Sequence, residues 1–63
     1  MSKVKMLREQ QNLTQEELAK KAKISRKTLS ELEIGRGNQT RDVYVKLAAA
    51  LNVEVKELFE KTA

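Results

Sequence analysis

Two helix entry signals, at Thr14 and Ser25, stand too close together for anything but two short helices joined by a sharp turn, and this constrains the chain more than any other feature. Thr14 is followed three residues on by Glu17, the capping-box pattern in which the hydroxyl serves a helical amide and the carboxylate serves the cap amide. Leu13 before this cap and Leu18 after it form a hydrophobic staple, and Ile24 and Leu29 repeat that relation around Ser25. The two helices are thus entered in the same way and meet at a defined angle. Leu18, Ala19 and Ala22 share one side of the first helix, and Leu29 and Leu32 one side of the second, at the three- and four-residue spacings that bring side chains together. Ala19 faces the closest approach, where a larger side chain forces the helices apart. Away from Leu29 and Leu32, the second helix carries Arg26, Lys27, Ser30 and Glu31, a polar face that is cationic at its N-terminal end.

The rest of the chain carries the same helical period. Ser2 is suited to cap a first helix running to about Gln11, with Val4 and Leu7 inward and Asn12 in the left-handed position that ends it. Beyond the central pair, Gly35-Arg36-Gly37-Asn38 reads as a donor-rich loop, and Thr40 as the cap of a fourth helix with Asp42 near its positive end. Tyr44, Leu47, Ala48 and Leu51 form the clearest helical stripe in the sequence. Asn52 ends that helix, Val53 turns inward, and Val55 to Lys61 form a short fifth helix with Glu54 as a weaker cap. With no proline, two glycines and no sustained alternation, the expectation is an all-α domain spanning 1–63: five short helices around one core, with a helix-turn-helix at about 15–33.

Composition removes several function classes. The chain has no cysteine and no histidine, so disulfides and thiolate or imidazole metal sites are excluded, and a reducing compartment is expected. Catalysis would have to rest on Ser, Lys or paired carboxylates in a pocket that so short a chain has little room to build. Adjacent Glu16 and Glu17 point about 100° apart on a helix and do not form an acid pair. Gly35-Arg36-Gly37 lacks the spacing and the following Lys-Ser/Thr of a phosphate-binding loop. No catalytic residue, cofactor, metal or small-molecule ligand is expected. No apolar run approaches the roughly 20 residues of a membrane span and no hydrophobic leader opens the chain, so the expected location is the cytoplasm.

The net charge of +4 is concentrated. Residues 20–41 hold seven basic against two acidic side chains, while the segments on either side are neutral or slightly acidic. Such clustering across the second helix of the pair and the following loop is an electrostatic footprint for a polyanion. Gln15, first in its helix, places an amide beside a helix N-terminus, where both can hold a phosphate.

Arg8, Thr14-Gln15-Glu16-Glu17-Leu18-Ala19, Ile24-Ser25, Leu29, Leu32, Glu33 and Gly35, continued by Leu47-Ala48, Leu51 and Leu58-Phe59, resemble the Cro and phage-repressor (XRE) family of helix-turn-helix domains over nearly the whole chain. Lys23 stands where the family turn usually has glycine, Ile34 where asparagine is common, and Gln39 where proline often precedes the fourth helix. The resemblance implies a transcriptional regulator, expected to be a repressor, whose second helix of the pair lies in the DNA major groove. It implies base contacts from Arg26, Lys27, Ser30 and Glu31, and backbone contacts from Ser25, Thr28, Arg36, Asn38 and Arg41 alongside Gln15. Arg or Lys favours guanine, and Glu accepts from cytosine. Arg8 and Glu33 are implied to form a structural ion pair. A solvated helix face with Lys27 and Glu31 paired is the plainer alternative, but such a pair contributes only ~0.3 kcal/mol and does little to account for the arrangement.

One reading helix covers few base pairs, so double-stranded DNA is expected to be bound by a homodimer on two half-sites. By resemblance the dimer contact comes from the segment around Leu51 to Phe59 and the loop near Asn38. The competing reading is a protein-interaction module of the same fold, an antitoxin-like or bridging subunit.

Overall fold

The computed structural model describes residues 3–36 and 40–58. They form α1 (Lys3–Gln10), α2 (Gln15–Ala22), α3 (Arg26–Glu33), α4 (Arg41–Leu51) and a terminal 3-10 turn (Val55–Leu58), with no strand among the described residues. Both central entry signals act as caps. The Thr14 hydroxyl accepts from the Glu17 amide at 3.0 Å while the Glu17 carboxylate accepts from the Thr14 amide at 2.9 Å. Ser25 accepts from the Thr28 amide at 3.0 Å. Ser2 and Asn38 lie outside the described residues.

All four α-helices end in the same way. Asn12, Lys23, Gly35 and Asn52 take left-handed φ values of 59°, 61°, 80° and 61°. The next amide in each case returns to the last turn: Leu13 to the Arg8 carbonyl at 3.1 Å, Ile24 to Ala19 at 3.0 Å, Arg36 to Glu31 at 2.7 Å and Val53 to Ala48 at 3.0 Å. This is the Schellman motif, which satisfies carbonyls that the helix cannot. In three of the four the returning residue is hydrophobic, and Leu13, Ile24 and Val53 all pack against the core. The exception follows α3, where the returning residue is Arg36, which stays exposed. Lys23 adopts the conformation that a glycine would take without a Cβ penalty, at a cost of about 1 kcal/mol.

The core consists of Val4 from α1, Leu18, Ala19 and Ala22 from α2, Leu29 and Leu32 from α3, Leu47, Ala48, Ala50 and Leu51 from α4, and Leu58. Ala19 is 3% exposed in the layer where α2 meets its neighbours, and its small side chain sets how closely they approach. α2 packs against both α3 and α4, and α1 braces α3, α4 and the terminal turn. At the far end Gln11 Nε2 donates to the Leu51 carbonyl at 2.7 Å, tying the end of α1 to the end of α4.

Two local expectations differ from the structure. Thr40 occupies the cap position of α4 but its side chain makes no cap hydrogen bond. The Val43 amide that it would serve turns instead to the Thr40 carbonyl at 3.1 Å, so a tightened first turn replaces the side-chain cap. The fifth helix appears as the 3-10 turn Val55–Leu58, and its expected continuation to Lys61 lies outside the described residues. Glu54 offers no hydroxyl to hold an α-helical entry. The Glu57 carboxylate accepts from the Glu54 amide at 3.2 Å, which is only the reciprocal half of a capping box. No helix among the described residues is long and apolar enough to cross a membrane.

Candidate nucleic-acid interface

α3 is eight residues long and divides its side chains sharply. Leu29, Leu32 and Glu33 are buried, Ser30, Glu31 and Thr28 are half-buried, and Ser25, Arg26 and Lys27 are exposed. No ion pair joins Lys27 to Glu31, so the plainer account of this face loses its only internal contact. Ser25 and Thr28 are locked to each other, because the Ser25 hydroxyl that caps the Thr28 amide also donates to the Thr28 hydroxyl at 2.8 Å.

The charges of α3 run against its dipole. A helix N-terminus carries partial positive charge and its C-terminus partial negative charge. α2 follows that rule, with Glu16 and Glu17 in its first turn and Lys20 and Lys21 in its last. α3 reverses it, with Arg26 and Lys27 at the start, no acid in the first turn and no base in the last. Stability alone would not select this arrangement. A bound polyanion at the N-terminal end of α3 would meet the dipole and both cations together.

The adverse acid at the other end of α3 is neutralised by α1. Arg8 Nε donates to Glu33 Oε2 at 2.8 Å and a terminal guanidinium nitrogen to Oε1 at 3.2 Å, a two-pronged pair with side chains only 11% and 2% exposed. The remaining terminal nitrogen donates to the Leu13 carbonyl at 2.7 Å, just before the α2 cap. The hydrogen bond with Glu33 is the main cause that holds the Arg8 guanidinium above its ordinary pKa, against the opposing effect of desolvation and with charge attraction to Glu33 and Glu9 adding to it. Gln15 Nε2 completes the group by donating to Glu33 Oε1 at 3.0 Å. One buried carboxylate thereby joins α1, the entry to α2, the first residue of α2 and the end of α3. Among the described residues no buried side-chain polar atom lacks a partner.

The link from Gln15 to Glu33 has no signal in the sequence. Gln15 reads as a helix N-terminal amide free to face solvent, and only the crossing of α2 and α3 turns it toward a carboxylate 18 residues away. Arg36 and Arg41 are exposed on either side of the loop after α3. Leu51 and Leu58 are 0% and 4% exposed, so both serve the core, while Val55 is half-buried against it and Phe59 lies outside the described residues.

Comparisons with known proteins agree with this architecture. The helix-turn-helix family model matches residues 4–58. An uncharacterized HTH-type transcriptional regulator of Methanocaldococcus jannaschii is 36% identical over 58 residues, covering 92% of this chain and 88% of that protein. Another, from Archaeoglobus fulgidus, is 34% identical over 58 residues, covering 92% and 82%. The crystal structure of the restriction-modification controller protein C.AhdI from Aeromonas hydrophila superposes with a TM-score of 0.87 at 35% identity, covering 90% of this chain and 86% of that one. With the caps, the turn, the buried face and the outward cations of α3 all in place, the chain belongs to the XRE-type helix-turn-helix family of DNA-binding regulators.

Proposed function

We infer that this protein regulates transcription by binding a short double-stranded DNA operator through α3, as a homodimer on two half-sites. The observation that carries this reading is the reversed charge of α3, whose exposed Arg26 and Lys27 crowd a positive helix end and gain a favourable environment beside phosphates and guanine edges. Arg26, Lys27, Ser30 and Glu31 read bases. Ser25, Thr28, Gln15, Arg36, Asn38 and Arg41 hold the backbone, and the Arg8–Glu33 pair orients the reading helix. Repression is the mode that suits a domain of this kind, since an operator occupied by a bound dimer is closed to other proteins. Its action belongs inside the cell, where its DNA is. The names of its relatives support regulation of transcription, and two half-sites suit a reading helix that covers few base pairs.

Selection of bound sequences from a random duplex pool, followed by gel shift across a salt series, tests the reading. The expected result is a two-fold symmetric site with half-sites about one helical turn apart and a steep loss of affinity with salt. A pool that yields no enriched sequence, with binding indifferent to salt, would leave a protein partner as the better account of this fold.

A further inference from the structure

The basic excess is not confined to α3. Lys21 and Lys23 at the end of α2 and Lys46 on α4 rim an open groove of about 330 Å³ whose floor is Ala22, Ala49 and Ala50. Lys46 pairs with Asp42 at 3.2 Å, whereas Lys21 and Lys23 have no ion-pair partner among the described residues. The rim therefore keeps a positive surplus. Val45, 43% exposed, precedes Ala49 by one helical turn and extends the alanine floor along the outer face of α4. Because α4 packs on α2 and forms no main contact with α3, the α4 side of this groove lies away from the helix face assigned to DNA, whereas Lys23 stands in the turn that leads into α3.

We propose that the groove between α2 and α4 docks an acidic amphipathic helix of a partner protein, with apolar side chains on Val45 and Ala49 above the nearly buried Ala22 and Ala50, and carboxylates on Lys21 and Lys23 beside the Lys46–Asp42 pair. Two features choose this occupant. The unpaired lysines call for negative charge, and small side chains on the floor let a partner backbone come close, as a helix laid in a groove requires. A phosphate backbone would satisfy the rim but has nothing apolar to set against Val45 and the alanines. Val45 and Ala49 lie on α4, which forms no main contact with α3, so a regulator bound through α3 would keep that side of the groove open for a second protein.

The test uses the whole chain, isotopically labelled, and a capped synthetic helix of about 15 residues with leucine and alanine along one face and glutamate elsewhere. Amide shifts should change saturably at Ala22, Lys23, Val45, Ala49 and Ala50 and not at Arg26 or Lys27. Lys21→Gln with Lys46→Gln, both exposed helix positions, should keep the spectrum of the folded protein and weaken the peptide roughly tenfold. A peptide of the same pattern with lysine for glutamate should not bind. Four results would overturn the proposal: no shift at millimolar peptide, shifts centred on α3, groove shifts that follow the protein's own concentration without peptide, or groove shifts produced by a DNA duplex and not by the peptide. The third would give the groove to a second copy of the chain and the fourth to nucleic acid.

Discussion

Replacing Arg26 by glutamate should make the fold more stable while destroying its use. Arg26 is the first residue of α3, exposed, in a first turn that holds no acid. Removing a cation there relieves one unfavourable interaction with the helix dipole, and introducing a carboxylate adds a favourable one, each about 0.3–1 kcal/mol at low ionic strength. The position four residues on is Ser30, so the new charge meets no like charge along the helix face. The net gain is about 1 kcal/mol, which for a domain of this size raises the melting temperature by about 4–8 °C. The same change removes a proposed base contact worth about 1–3 kcal/mol and sets a carboxylate against phosphate, so operator affinity should fall by at least about tenfold to a hundredfold. Thermal unfolding by circular dichroism and operator titration by fluorescence anisotropy read the two effects separately. Raising the salt to about 1 M, where screening acts within about 3 Å, should erase most of the stability gain. A lower melting temperature at low salt would refute the dipole argument, and undiminished operator binding would refute the assignment of α3 to DNA.

Arg8→Ala leaves the Glu33 carboxylate buried with Gln15 as its remaining side-chain donor, at a cost of about 3 kcal/mol, a large share of the roughly 3–9 kcal/mol expected for a domain of this length. Urea unfolding of Arg8→Ala, Glu33→Gln and the double variant should give effects that do not add, and additivity within about 0.5 kcal/mol would remove the coupling. Lys27→Ala should cost about 1–3 kcal/mol on the preferred operator and much less on operators altered at the contacted base, whereas Arg41→Ala should weaken all sequences alike and lower the salt slope by about one per subunit. Equal losses on every sequence for Lys27→Ala would make it a phosphate clamp. Lys23→Gly should stabilise the fold by about 0.5–1 kcal/mol, read as a higher urea midpoint at unchanged transition slope, because glycine takes the left-handed turn freely; a lower midpoint would mean that the lysine side chain contributes more than its backbone strain costs.

What the sequence determined by itself was whatever rests on bonds within about one helical turn. Thr14 and Glu17 cap α2, Ser25 caps α3, and Asn12 and Asn52 close α1 and α4, because donor and acceptor are near neighbours along the chain. The buried stripes of α2, α3 and α4 were equally legible, since a helical period sorts side chains to faces before any helix meets another. Resemblance to a family supplied the pairing of Arg8 with Glu33. Tertiary structure alone decided that Gln15 joins that pair, that Gln11 reaches the Leu51 carbonyl, that Leu58 is spent on the core, and that Lys21 and Lys23 come beside Lys46. Each of these depends on the angle and separation of two helices, which follow from how Ala19 and the leucines around it pack. Thr40 shows the same division within a single turn: its residue type suits a cap, but the path by which the chain enters α4 hands the Val43 amide to a carbonyl instead.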